Sequence, residues 1–224
     1  MIYITGDTHI PNNIQRLDVS SFKAQEKMSK NDYIIICGDF GGVWDGSSEE
    51  IQWLQLIEEK TFTTLFVDGN HENFDLLNKY EIKEWNGGKV HFINESIIHL
   101  MRGQVYTIDG LKFFTMGGAE SIDKYLRKEG ETWWKEELPS KEEYEEALDN
   151  LSKSNWKVDY VITHTASREI IKELTYLEEC NELNSFFNIL DKELQFRRWY
   201  FGHFHKDVDF EKHSLVYERI IEIH

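Results

Sequence analysis

Five short polar clusters in this chain carry the residue types that bind metal ions and move protons. They read Gly6-Asp7-Thr8-His9, Gly38-Asp39-Phe40-Gly41, Gly69-Asn70-His71-Glu72, Thr163-His164-Thr165 and Gly202-His203-Phe204-His205. Asp7, His9, Asp39, Asn70, His164, His203 and His205 offer oxygen and imidazole nitrogen donors with no thiolate among them. These seven donors exceed the three or four protein ligands that one zinc ion typically takes. They suit two divalent ions sharing a bridging carboxylate, and metal pairs about 3.5–4 Å apart are a recurrent device for phosphoryl transfer. A mixed imidazole and carboxylate set matches Mn, Fe or Zn better than Ca or Mg.

No cluster is diagnostic alone. An Asp-x-His on a loop is commonly a solvated turn, and an isolated His164 reads as a half-buried histidine satisfied by its neighbours. His203 and His205 form a stronger signal, because alternation along an extended chain puts both rings on one face. Position joins the clusters. Each closes an apolar run, at residues 2–4, 34–37, 65–67, 161–162 and 200–201. In open α/β sheets, ligands bind beyond the carboxyl ends of the strands.

The elements that must hold these clusters alternate strand-like and helical patterns. A helix-like stretch covers residues 20–28, and a strand covers 33–37. Ser47-Ser48-Glu49-Glu50 has the form of a capping box, with the Ser47 hydroxyl and the Glu50 carboxylate satisfying free backbone N–H groups. It opens a helix carrying Ile51, Trp53, Leu54, Leu56 and Ile57. A third run covers 64–67, and the spacing of about 30 residues between runs is that of a βαβ unit. Runs at 89–93, 97–101, 104–108 and 111–116, with the hairpin pair Asp109-Gly110, predict an antiparallel meander. Ser140-Lys141-Glu142-Glu143 is a second capping box, opening a helix to residue 153 with Tyr144, Ala147, Leu148 and Leu151 on one stripe. A strand at 158–162, a helix at 181–194 and closing strands at 198–201, 208–210, 215–217 and 220–223 complete the chain. This pattern predicts an α/β fold of two sheets with helices outside, in one domain over residues 1–224.

The order of the clusters resembles the calcineurin-like metallophosphoesterase superfamily, and the motifs span residues 6 to 205. The segment with Gly117-Gly118-Ala119, Ser121-Ile122-Asp123-Lys124, Arg127 and Trp133-Trp134 further resembles small bacterial and prophage metallophosphoesterases. The resemblance implies a four-layer αββα sandwich of two mixed sheets flanked by helices. It implies one metal at Asp7, His9, Asp39 and His205 and a second at Asp39, Asn70, His164 and His203, with Asp39 bridging. It implies hydrolysis of phosphate esters by in-line attack of a metal-bridging hydroxide, with His71 facing the scissile phosphate and assisting the leaving group. The alternative is a non-catalytic scaffold or binding module on the same fold, but such proteins usually show eroded ligands, and here all are present. Two departures stand out. Ile10 replaces the glycine that often follows the first histidine, and Phe40-Gly41-Gly42-Val43-Trp44 replaces the Asp-Arg-Gly continuation of protein Ser/Thr phosphatases. The second argues against a protein-phosphatase reading without touching the metal ligands.

Other residues divide between roles. Arg127 and Arg168 are candidate substrate contacts, while Lys124 and Lys128 are either phosphate contacts or part of a solvated face. Trp133 or Trp134 could stack on a nucleobase or pack in a core or lid, and Trp44 could wall the pocket. Glu72 reads as a supporting acid, and His91, His99, His213 and His224 fall outside the motifs.

The 224 residues include 25 basic and 41 acidic side chains, a net charge of −16. That disfavours duplex nucleic acid and anionic membrane surfaces as partners. Taken alone it also disfavours phosphorylated substrates. However, the acidic surplus falls largely on residues 128–149 and 173–193, expected helical faces, and two divalent ions dominate the field of a site holding Asp7 and Asp39. A small phosphate ester is therefore the expected substrate. Cys37 and Cys180 make neither a disulfide framework nor a zinc pattern. No secretory signal and no apolar stretch near 20 residues is present, so the expected location is the cytoplasm.

Overall fold

The computed structural model describes residues 1–177 and 179–224. The first half builds strands β1 (Ile2–Thr5), β2 (Tyr33–Ile36), β3 (Thr63–Phe66), β4 (Ile82–Trp85), β5 (Gly88–Asn94) and β6 (Ile97–Leu100). The second half builds β7 (Gln104–Ile108), β8 (Leu111–Met116), β9 (Tyr160–Thr163), β10 (Arg198–Phe201), β11 (Val208–Phe210), β12 (His213–Leu215) and β13 (Ile221–Ile223). One sheet runs β13-β1-β2-β3-β6-β5-β4, and the other runs β11-β12-β10-β9-β8-β7. Each has a parallel centre, β1-β2-β3-β6 or β8-β9-β10-β12, with antiparallel strands at its edges.

Side-chain alternation on these strands makes three apolar layers. Ile2, Ile4, Ile35 and Leu65 face Phe113, Tyr160, Ile162 and Tyr200 between the sheets. On the outer face of the first sheet, Tyr3, Ile34, Ile36 and Phe66 pack on Leu54 and Ile57 of α1 (Ser48–Glu58). On the outer face of the second, Phe114, Val161, Trp199 and Phe201 pack on three helices. These are α3 (Lys141–Lys153), α4 (Arg168–Thr175) and α5 (Glu182–Glu193), while the short α2 (Phe74–Leu77) lies by the first sheet. The expected two-sheet α/β sandwich with outer helices is the observed architecture. No helix among the described residues is long and apolar enough to cross a membrane.

Four local expectations need correction. The four middle runs do not form one meander. β5-β6 and β7-β8 are separate hairpins in different sheets. The chain changes sheets at Arg102 and Gly103, where Gly103 has φ +70° and the Arg102 guanidinium is held by the buried Asp68. Residues 20–28 are not an α-helix but contain the 3₁₀ turn Lys23–Lys27, because the Gln25 amide donates to the Leu17 and Phe22 carbonyls and holds them out of helical register. The Ser47 box is half formed. Ser47 Oγ accepts from Glu50 N, but the Glu50 carboxylate reaches further back, to the N–H groups of Trp44, Asp45 and Gly46. The strand expected at 215–217 is instead His213–Leu215, and Val216 and Tyr217 continue past it toward the site. The Ser140 box is complete as expected.

Candidate metal centre

All five clusters leave the carboxyl ends of central strands. β1, β2 and β3 deliver Asp7, His9, Asp39, Asn70 and His71 from one sheet, and β9 and β10 deliver His164, His203 and His205 from the other. Parallel neighbours end on the same side, so residues far apart in sequence converge where the two sheets meet. The glycines before the donors have a steric reason. A Cβ at Gly69 would collide with Asp39 Oδ1, and one at Gly202 would collide with Asp7 Oδ1.

Two groups of donor atoms converge among the described residues. Single ligand atoms of Asp7, His9, Asp39 and His205 lie within 4.8 Å of one another, as do those of Asp39, His164 and His203. Asp39 belongs to both groups. Its Oδ2 is 3.1 Å from His9 Nε2 and its Oδ1 is 3.2 Å from His164 Nε2. His205 Nε2 lies 3.0 Å from Asp7 Oδ2. Asn70 Oδ1 lies 3.2 Å from His164 Nε2, so it joins the second group. The donors are graded in exposure: Asp7, Asp39, Asn70 and His164 are buried, His9 and His203 half-buried, and His205 exposed. The cluster is thus closed below and open above.

The backbone is held in costly conformations to achieve this. His9, Asp39, His203 and His205 have φ of +39°, +47°, +72° and +50°. Such non-glycine positions cost about 1–3 kcal/mol each and gather at functional sites. The donor chemistry fits divalent metal ions, since two carboxylates and four imidazoles make up the two groups and the Asn70 amide oxygen adjoins the second.

Neighbouring groups choose which atom of each donor faces the cluster. His164 Nδ1–H donates to the Cys37 carbonyl at 2.9 Å, leaving Nε2 as the donor. The Asn70 amide NH₂ donates to Ser121 Oγ at 3.3 Å, which turns Oδ1 inward. Ser121 in turn gives its hydroxyl and its backbone N–H to the buried Glu137 carboxylate. His203 Nε2–H donates to Glu179 at 3.0 Å, and both Asp7 oxygens accept from His203 N. The Arg16 guanidinium donates to the carbonyls of Asp7 and Tyr217, and the Tyr217 ring stacks on His205 at 4.6 Å. Glu72 is buried beneath the loop, and its Oε1 accepts from Phe40 N and Gly41 N.

The charge balance follows from this packing. Burial disfavours a charged Asp39, but the adjacent His164 outweighs it and holds the carboxyl well below its ordinary range. Burial likewise lowers the His164 pKa, and Asp39 more than reverses this, raising it to about 10. Burial and the nearby Asp39 charge raise Glu72 well above the usual carboxylate range. Burial lowers His71 below an ordinary histidine.

A cavity of about 430 Å³ opens over the cluster, lined by Asp39, Asn70, His71, His203 and His205 and by residues of two loops. Arg127 is on its wall, with its guanidinium also at Asp123 (2.7 Å) and at the Thr132 carbonyl. Arg168 is not brought to the cavity. It starts α4 with its guanidinium beside Cys180 Sγ. Trp134 is buried, donating from Nε1 to Asp75, and Trp133 stands by Lys124, so neither lines the cavity. Trp44 stands 6.5 Å from the His71 ring.

Glu179, Glu137, Arg16 and Tyr217 escaped sequence reasoning, and Ser121 was named there without a role. Glu179 and Glu137 looked like two more acids on solvated helical faces, yet each holds a donor or its partner. Neither carries a local signal, since each follows another glutamate in the chain.

The chain matches one family model, described as calcineurin-like phosphoesterase, over residues 1–207 of 224. No curated protein matches it.

Proposed function

The chain belongs to the calcineurin-like phosphoesterase family, and from that premise we propose that it hydrolyses phosphate esters with two divalent metal ions. Asp7, His9, Asp39 and His205 hold one ion, and Asp39, Asn70, His164 and His203 hold the other. The observation that carries this reading is that both donor groups share the Asp39 carboxylate. When bound, such ions lower the pKa of water and neutralise charge developing on phosphate oxygens.

The chain's own residues supply position and protons. The Cys37 carbonyl, Ser121 and Glu179 orient His164, Asn70 and His203 before any ligand arrives. The His71 N–H holds Asp39 Oδ1 at 2.9 Å, and its imidazole lines the cavity. The His71 imidazole, beside Asp39 in the cavity wall, is the group placed to pass a proton to a leaving alkoxide. Arg127 is the cation placed to receive a phosphate oxygen. Free Cys37 and Cys180 suit a reducing compartment, the cytoplasm.

The test is hydrolysis of p-nitrophenyl phosphate and bis-p-nitrophenyl phosphate with Mn²⁺, with and without chelator. Turnover that needs the metal is expected, with His71→Ala lowering kcat by about 10²–10⁴-fold while metal content stays at wild type. A protein that binds no metal and hydrolyses neither ester is a scaffold on this fold.

A further inference from the structure

Among the described residues, the four most exposed large apolar side chains are Tyr176 (89%), Ile122 (82%), Tyr125 (80%) and Leu126 (75%). They are not scattered. Ile122, Tyr125 and Leu126 lie within residues 121–127, which supply Ser121, Ile122, Asp123 and Arg127 to the cavity wall, and Tyr176 directly precedes Leu177, which lines the cavity from another segment. Ile122 lines it from one loop and Leu177 from the other, with Phe204 between the histidines. Single exposed apolar residues are ordinary, but four on the two segments that supply the cavity's apolar wall mark a surface that something covers.

The cavity shows what kind of group that is. At about 430 Å³ it has the volume of a site for a whole small molecule (about 300–1,000 Å³), far more than a phosphate fills. A phosphate seated against Asn70 and His71 leaves the outer part of the ligand facing Ile122, Leu177 and Phe204. The charged groups at the opening do not favour a second phosphate. Arg127, the cation in the cavity wall, is partly neutralised by Asp123 at 2.7 Å. We infer that the substrate carries a single phosphate and an apolar substituent, alkyl or aryl, which packs between Ile122 and Leu177. This rests on the phosphoesterase reading of the same site.

The experiment is calorimetric binding of n-alkylphosphonates, methyl to octyl, to the Mn²⁺-loaded protein. These compounds are not hydrolysed, so no turnover is needed. A fully buried methylene contributes about 0.8 kcal/mol, about fourfold in affinity, and walls this open correspond to about twofold per methylene. The paired variant I122S/L177S should reduce that gain toward onefold. Both side chains are exposed, at 82% and 54%, so their removal leaves the core intact. Affinity indifferent to chain length, the same gain in the paired variant, or no phosphonate binding overturns the inference. So does a wild-type dimer that the paired variant breaks with a flat phosphonate series, since a second copy then covers the loops. Ester hydrolysis with a flat series rejects the apolar substituent alone, while a rising series without ester hydrolysis rejects the phosphoesterase reading alone.

Discussion

Glu179 Oε1 accepts a hydrogen bond from His203 Nε2 at 3.0 Å, and its other oxygen accepts from Thr165 Oγ1 and the Asn184 amide. The carboxylate therefore fixes the His203 tautomer with Nδ1 free for a metal ion, and it ties the His164 strand end and α5 to the same point. Burial disfavours its charge, but the His203 hydrogen bond wins and keeps the carboxyl below its usual range.

Removing that partner should weaken metal binding without unfolding the protein. Carboxylates behind ligating histidines typically contribute about 10–100-fold in metal affinity. Glu179→Ala should show that loss for one of two bound ions by metal titration, with the other ion retained. Equal affinity for both ions in the variant and the wild type argues that the contact does not position His203.

Asp39 is common to both donor groups, so its loss should be felt at both. With metal at about 100 times Kd, ligand binding stabilises the native state by about 2.7 kcal/mol per site. The wild-type protein should show a raised Tm with Mn²⁺, and Asp39→Asn should show neither the shift nor bound metal by elemental analysis. Two ions per chain in the variant would refute the shared-ligand assignment.

Arg102 is the partner of a buried charge. Its Nε lies 2.9 Å and its Nη2 2.5 Å from Asp68 Oδ2, with both side chains nearly inaccessible. Breaking a buried pair from one side leaves an uncompensated charge and costs about 3–5 kcal/mol. Arg102→Met should lower the urea midpoint accordingly, and a change below about 1 kcal/mol would show that His99 alone satisfies Asp68.

His91 sets a pH dependence in the metal-free protein. Burial, helped by the neighbouring His99 and opposed by Asp68, lowers its pKa from 6.5 to about 4. Between those values the unfolded chain takes up a proton and the native state does not. Stability is therefore lost as pH falls from about 6.5 toward about 4, by about 1–3 kcal/mol. His91→Gln keeps a hydrogen-bonding group near His99 Nδ1 and should flatten that part of the profile, measured by urea unfolding with chelator present. An unchanged slope would assign the dependence to other groups.

The strands that carry the donors were legible because parallel buried strands are short apolar runs, and the polar residues after them had to be somewhere useful. The cap at Ser140 was legible for the same local reason. The supposed meander was not. Hairpin signals report which neighbours pair, while the sheet that each hairpin joins depends on long-range contacts such as Arg102 with Asp68. The length of the Glu50 reach and the 3₁₀ turn at Lys23–Lys27 were likewise settled by competition among nearby polar groups for the same backbone atoms.

By itself the sequence determined the donor inventory, its order and the glycines that make room for it, because ligand chemistry needs particular residue types at strand ends. Only the tertiary structure decided which atom of each donor faces the centre. His164 is oriented by the Cys37 carbonyl, 127 positions away, Asn70 by Ser121, 51 away, and His203 by Glu179, 24 away. A hydrogen bond needs two atoms within about 3 Å, and no spacing along the chain encodes which distant residues folding brings that close.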